Sequence, residues 1–329
     1  MIQKLIIRNF KCLRDVTVNL EPFTVFVGAN GSGKTSILQA LDLLCRTYHS
    51  QLKQLESDYL GNRTFGSVEA VELACTVDGE TYQYQIPSAE LKNSPAKRPG
   101  GLRIESAEGQ SKPPKGVPRS LWLRLDVNLL RNTQPSQNIR DMEPNGQGMH
   151  RALSSMLLER RDDFSQLEKD LNRIVPSIKR LQPTAEHEIR FDTINGKGLR
   201  ASQVSEGTLL TLGLLTAIHG ANKPGLLLLD DIDRALHPRA QWELIGLLRG
   251  VLQTNPEIQI AATTHSPYLL DKMEPIEVRV TTLRADGSAA TEPMTQHPKY
   301  EKWKEEFHSG EMWSVFGEEW VAEPLGVAQ

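Results

Sequence analysis

Only three cysteines occur in 329 residues, Cys12, Cys45 and Cys75, and no two are closely spaced. That excludes a disulfide framework and a clustered zinc site, and it suits reduced thiols in a cytosol. No apolar run approaches the length of a membrane-crossing helix. The apolar part of the opening Met1 to Arg8 is too short for a signal peptide. A soluble, cytoplasmic protein without a membrane partner is expected. The formal net charge is only -3, so the surface as a whole does not attract nucleic acid, and any contact to it needs a local basic patch. Sustained heptads are missing, which excludes a long coiled coil, and no internal repeat is visible. The length allows one large α/β domain or two small ones.

Apolar patterning organises what is there. Ile2 to Arg8 and Val16 to Leu20 read as two short strands around a turn at Asn9–Asp15. Phe23 to Val27 is nearly all apolar, as a buried strand is. A glycine-rich turn follows. Then Ile37, Leu38, Leu41, Leu44 and Cys45 recur at helical spacing. Between about Asp58 and Pro87 the pattern alternates, which predicts a small antiparallel sheet. Ser88 to Arg119 is rich in proline and basic residues and reads as a mobile loop: a solvated linker, or a local contact to nucleic acid or an acidic partner. Gly148 to Leu181 carries a helical pattern in short, interrupted pieces. After about Ile189 the α/β alternation resumes and runs to about Leu283.

The segment Gly28-Ala29-Asn30-Gly31-Ser32-Gly33-Lys34-Thr35 fits G-x-x-x-x-G-K-S/T without departure. Its glycines let backbone N–H groups turn inward around a β-phosphate. The helix that follows adds the positive end of its dipole. Lys34 offers a point charge to the β and γ oxygens, and Thr35 offers a hydroxyl to Mg²⁺. Asn30, Gly31, Ser32, Gly33, Lys34, Thr35 and Ser36 are therefore the candidate nucleotide-binding residues, with ATP and Mg²⁺ as ligands.

Gly225-Leu226-Leu227-Leu228-Leu229-Asp230-Asp231 is a buried strand ending in two carboxylates. Ligands collect at the carboxyl ends of such strands. Asp230 is the candidate metal ligand beside Thr35, and Asp231 the candidate to polarise an attacking water. Ile258 to Thr264 is a second buried strand, ending in His265, a candidate γ-phosphate sensor or water-orienting group. Ser205-Glu206-Gly207-Thr208 opens a strongly apolar helix. Ser205 suits an N-cap, and with Gly207 it also suits a second anion site. One phosphate loop and one such turn in a chain invite a dimer in which each copy completes the other's site.

These elements, in this order, resemble the ABC-type ATPase heads of the SMC, RecF and OLD (overcoming lysogenisation) proteins. Ile6-Ile7-Arg8-Asn9-Phe10-Lys11 through Thr35 looks like their N-terminal lobe. Ser205-Glu206-Gly207-Thr208 looks like a variant of the L-S-G-G-Q signature. Leu229-Asp230-Asp231-Ile232-Asp233-Arg234-Ala235-Leu236-His237-Pro238 resembles D-E-P-E-x-x-L-H-P, and Thr263-Thr264-His265-Ser266-Pro267 resembles the switch-histidine segment. Residues 50 to 190 match only loosely. The resemblance implies an α/β fold: an ABC-type P-loop NTPase head with a mixed central sheet, a small antiparallel β-subdomain and a helical insertion. Within one head at 1–329, the N-terminal lobe is expected at 1–120, the helical insertion at 121–190 and the C-terminal lobe at 191–329. It also implies an ATP sandwich. Lys34, Thr35 and Asp230 act in cis, Ser205 and Gly207 reach the γ-phosphate in trans, and Asp233 helps to join the subunits. Where the family has a catalytic glutamate this chain has Asp231, one methylene shorter, so slow or partner-stimulated hydrolysis is expected.

The lack of a coiled coil separates the chain from SMC-type heads and leaves the compact OLD-like ATPases as the best match. These are linked to phage defence and often act with a TOPRIM nuclease, fused or separate. The expected function is a regulatory ATPase, homodimeric or larger, that controls a separate effector polypeptide. The alternative is a RecF-like DNA-binding repair ATPase, which requires salt-sensitive DNA binding. A transporter subunit fits poorly with the Ile-Arg-Asn-Phe opening and with His237-Pro238. In the tail, Trp303 and Phe307, then Trp313, Phe316 and Trp320, fall at helical spacing. They read either as a terminal helix over the chain's own core or as a docking face.

Overall fold

The computed structural model describes residues 1–49, 70–86, 116–132, 141–220 and 224–322. The expected basic loop at 88–119 lies outside them, apart from 116–119. The chain begins with β1 (Ile2–Phe10), β2 (Leu13–Asn19), β3 (Phe23–Val27) and α1 (Lys34–Tyr48). It continues through β4 (Val71–Val77), β5 (Glu80–Ile86), β6 (Ser120–Leu123), α2 (Val127–Arg131), α3 (Met149–Glu159) and α4 (Arg161–Ile174). Next come β7 (Ile178–Pro183), β8 (Ile189–Thr193), α5 (Glu206–Ile218), β9 (Leu226–Leu229), α6 (Pro238–Thr254) and β10 (Gln259–Thr263). The last elements are α7 (Pro267–Leu270), β11 (Val278–Leu283), β12 (Ala289–Pro293), α8 (Tyr300–Trp303), α9 (Ser309–Phe316) and α10 (Glu319–Ala322). Two compact units share them. The first comprises Met1–Leu121, Pro224–Ile232 and Pro256–Gln329, and the second Trp122–Lys223 and Asp233–Asn255.

The first unit holds an antiparallel sheet in the order β2-β1-β4-β5 and the mixed sheet β12-β11-β3-β10-β9-β6, whose last strand runs across the unit boundary. β10 lies parallel to both β3 and β9, with Ile260 opposite Phe23 and Leu227. β11 is parallel to β3, and β12 returns antiparallel. Every residue of β3, β9 and β10 is buried. Strands covered on both faces are mostly apolar, which is why they read as near-continuous runs. Their polar members are Thr24, Thr263 and Gln259, and Gln259 ties two sheets together. Its buried amide accepts from Ile2 N–H (3.0 Å) and donates to the Ile2 carbonyl (2.8 Å), tying β1 to β10.

The first hairpin is tighter than expected. β1 runs to Phe10, which pairs with Leu13, so the turn is Lys11-Cys12 rather than Asn9–Asp15. Asn9 and Lys11 take left-handed φ of 57° and 54°, which lets the strands continue to the turn. Asp15, which read as the end of the loop, forms a rung of the ladder instead: it lies opposite Arg8, whose guanidinium bonds its carboxylate at 3.3 Å.

In the second unit, α4 buries Phe164, Leu167, Leu171 and Ile174, an i, i+3, i+7, i+10 stripe. The helical reading to Leu181 ends early, at Ile174. Val175 precedes Pro176, which disfavours helical backbone there, and Ile178–Pro183 pairs as a strand with β8. Buried His150 joins α3 to this hairpin: its Nδ1 accepts Ile189 N–H at 3.0 Å and its Nε2 donates to the Leu130 carbonyl at 2.9 Å.

The tail packs on its own unit. Trp303 meets Phe307 at 5.2 Å between ring centroids, Phe316 stacks on His297 at 4.4 Å, and Trp320 meets the same imidazole edge-on at 5.1 Å. Val321 of α10 is buried. The Trp313, Phe316 and Trp320 spacing is carried by two helices, because Gly317 at φ 61° ends α9 before Trp320, and Phe307 lies beyond the end of α8 at Trp303.

Candidate active site

The phosphate loop links β3 to α1, and packing requires its first glycine. A Cβ on Gly28, at φ 148°, would lie 1.9 Å from the Thr281 carbonyl oxygen. Gly33 at φ 106° is the N-cap of α1 and makes no side-chain cap. The first N–H groups of α1 therefore have no partner within the helix, the arrangement that binds anions at helix starts. A Cβ on Gly33 would also approach Cys12 Sγ to 3.0 Å. Lys34 is buried, and its Nζ donates to the carbonyls of Gly28 (2.9 Å) and Ala29 (2.8 Å), which holds the ammonium along the loop. Ser32 Oγ is buried without a hydrogen-bond partner, an orphan polar atom inside the loop. Asn30, Gly31 and Thr35 are exposed, and Ser36 is half-buried.

The acidic strand end converges on this loop. Thr35 Oγ1 donates to Asp230 Oδ1 at 3.0 Å. Asp231 follows in left-handed conformation at φ 48°, which costs a side-chain-bearing residue roughly 1–3 kcal/mol. Its carboxylate is more than half exposed and lies 3.9 Å from His265 Nε2, beyond direct hydrogen-bonding distance. Lys34, Thr35, Asp230, Asp231 and His265 thus gather at the carboxyl ends of β3, β9 and β10.

A hydroxyl and a carboxylate are hard oxygen donors of the kind Mg²⁺ takes. Among the described residues, no group of three or more His, Cys, Asp or Glu could hold a metal ion.

Ser205, Gly207 and Asp233 belong to the second unit. Ser205 is the N-cap of α5, and its Oγ accepts Thr208 N–H at 3.3 Å. A Cβ on Gly207 would meet the Ala235 carbonyl oxygen at 2.3 Å. Next to it, Glu206 pairs with Arg234 at 2.7 Å. The turn borders a cleft of about 310 Å³ lined also by Arg173, His237 and Arg239. Sequence reasoning missed Thr263, whose hydroxyl bonds both Asp230 (2.6 Å) and the Asp231 N–H (2.8 Å). The available signal was a polar residue at the end of an otherwise buried strand.

The fold and loop define a P-loop ATPase head of the ABC-like class. The family described as "AAA domain, putative AbiEii toxin, Type IV TA system" matches residues 23–271, and the chain belongs to it. Among curated proteins, the chain is 24% identical over 301 residues to the Septu protein PtuA of Bacillus mycoides, covering 85% of this chain and 40% of that protein. It is 25% identical over 322 residues to the OLD nuclease of Thermus scotoductus, covering 82% of this chain and 60% of the relative. The chain therefore spans roughly half the length of these relatives. Its fold is similar to an SMC head bound to the C-terminal winged-helix domain of ScpA, with TM-score 0.60 and 15% identity over 88% of this chain and 97% of that one. The Pyrococcus furiosus Smc head domain gives TM-score 0.57 at 14% identity, covering 93% and 98%. The mixed central sheet expected from the sequence is found, and small antiparallel sheets stand where one small antiparallel β-subdomain was expected. Among the described residues no helix is long and apolar enough to cross a membrane.

Proposed function

We propose that this chain binds ATP with Mg²⁺ in the phosphate loop, hydrolyses it slowly, and pairs head-to-tail with a second copy. The observation that carries the reading is the convergence of Thr35 and Asp230 at 3.0 Å beside a loop built to hold phosphate. Those two oxygens would hold Mg²⁺, which when bound neutralises charge on the β and γ oxygens. Lys34 would place its ammonium on the same oxygens. Asp231 would accept a proton from the attacking water as its oxygen bonds to the γ-phosphorus and the bridging bond to ADP breaks. His265 would orient that water or sense the γ-phosphate. Ser205 and Gly207 of the second copy would close the site, with Asp233 at the join.

The pair would control a separate effector, a nuclease or toxin, in antiphage defence. Support comes from the family, whose description includes a putative toxin, and from a relative named as a nuclease. Mass in solution tests the assembly: wild type and Asp231→Asn are measured by light scattering with and without ATP and Mg²⁺. ATP should raise the mass from monomer to dimer, more persistently in the variant, which binds but does not cleave. A monomer mass that ignores nucleotide in both proteins counts against a sandwich of two copies, whereas a constant dimer mass means that the pair forms without ATP. Salt-sensitive binding of duplex DNA would favour the repair-type alternative.

A further inference from the structure

The last residue of β10 is fully buried and polar, and it holds the acidic strand end from three sides. Thr263 Oγ1 donates its one proton to Asp230 Oδ1 at 2.6 Å and accepts the Asp231 N–H at 2.8 Å. Its carbonyl accepts the Ile232 N–H at 3.0 Å. Asp230 Oδ1 therefore receives two threonine hydroxyls, from Thr35 at 3.0 Å and from Thr263. With that oxygen fixed, the carboxylate cannot rotate freely about its terminal torsion. The bond to Asp231 N–H meanwhile pins the residue that carries left-handed φ of 48°.

We propose that Thr263 is a positioning residue for both carboxylates, orienting Asp230 toward the metal and Asp231 toward the attacking water through a single hydroxyl. This rests on the ATP and Mg²⁺ reading above. A hydroxyl shared in this way couples the two groups. Displacing the Asp230 carboxylate reorients the acceptor lone pair that Asp231 N–H uses, and releasing the Asp231 turn frees the donor that Asp230 uses. Valine has the shape of threonine without the hydroxyl. Thr263→Val therefore keeps the packing and takes one partner from Asp231 N–H and one from Asp230 Oδ1. Losing the group that orients a metal-binding carboxylate typically weakens metal affinity or activity about 10–100-fold.

The test uses the full chain as wild type, Thr263→Val, Thr263→Ser and Thr263→Ala. Mn²⁺ binding in the presence of ATP is followed by electron paramagnetic resonance, and ATP binding in EDTA by a fluorescent ATP analogue. Turnover is followed as separate kcat and KM. The expected result for Thr263→Val is about a tenfold or greater loss of Mn²⁺ affinity and a fall in kcat, with metal-free nucleotide affinity within about threefold of wild type. Thr263→Ser should recover most of the metal affinity. Should the valine protein fail to fold, the serine and alanine proteins carry the comparison, because they differ in the hydroxyl alone. Equal Mn²⁺ affinity in serine and alanine, or in valine and wild type, overturns the assignment while leaving the ATPase reading standing. A wild type that binds neither Mn²⁺ nor the ATP analogue overturns both.

Discussion

Substituting Gly207 with alanine places a methyl group 2.3 Å from the Ala235 carbonyl oxygen. No flexible side chain stands there to give way, so the backbone of residue 235 or the start of α5 must shift. Overpacking of this kind costs about 1–3 kcal/mol. Alanine returns up to about 1 kcal/mol of helix propensity in a helix interior, and less in the first turn, where residue 207 sits. A net loss of about 1–2 kcal/mol follows, which lowers the melting temperature by several degrees, since ~1 kcal/mol shifts a domain between the small and large size classes by roughly 3–6 °C. The assay is thermal unfolding without nucleotide, run beside the light-scattering measurement with ATP. The glycine has two candidate roles, packing within its own unit and approach to a phosphate held by the partner. Only packing acts without ATP. An unchanged or raised melting temperature in Gly207→Ala refutes the packing argument, and loss of the ATP-driven dimer alone would then leave the second role in sole possession. The Glu206–Arg234 pair beside it is largely exposed and contributes at most about 1 kcal/mol.

Two further outcomes concern the phosphate loop and a buried imidazole. Gly28→Ala should abolish nucleotide binding and lower stability, since its Cβ would overlap the Thr281 carbonyl in a backbone conformation alanine avoids; equilibrium dialysis with ATP and a thermal melt check both effects, and retained binding would contradict the described loop. Burial holds the His150 imidazole below its ordinary pKa of 6.5, partly opposed by its bond to the Leu130 carbonyl and by Glu188. The unfolded chain therefore takes up this proton first, so the contribution is complete above pH 6.5 and is lost as the pH falls through the folded value. Urea midpoints should drop on acidification below pH 6.5, and His150→Gln should flatten that drop; a slope unchanged in the variant would remove His150 as its cause.

Local signals are legible in the sequence and long-range ones are not. The phosphate loop declares itself because each position has a distinct steric or charge requirement, and β3, β9 and β10 declare themselves because burial on both faces forces apolar runs. Asp230 and Asp231 stand out because carboxylates rarely end such runs. By contrast, apolar spacing in short pieces cannot separate a helix from a strand. The stretch around Ile178 and Leu181 reads as a continuation of helix, yet Ile178–Pro183 pairs with β8. The hairpin at Lys11-Cys12 reads as a longer loop because two residues with positive φ leave no mark in composition. Thr263 shows only as a polar residue at the end of a buried strand, because its role depends on a neighbouring strand, 33 residues away at Asp230, meeting its own in register. The division into two discontinuous units has no sequence signature of the kind a linker leaves.

The place of β3 in its sheet has a consequence for how the protein is made. Its two neighbours are β10 and β11, and Phe23 waits for Ile260, 237 residues later, before it gains a partner. At about 5–20 residues per second, a ribosome needs roughly 10–50 s to supply that residue. The antiparallel sheet of β1, β2, β4 and β5 can form early on the nascent chain, but the strand carrying the phosphate loop cannot. Contacts this distant slow folding and leave apolar surface open to wrong partners meanwhile. The phosphate loop is thus among the last parts to be completed, and its formation reports that nearly the whole first unit has been assembled.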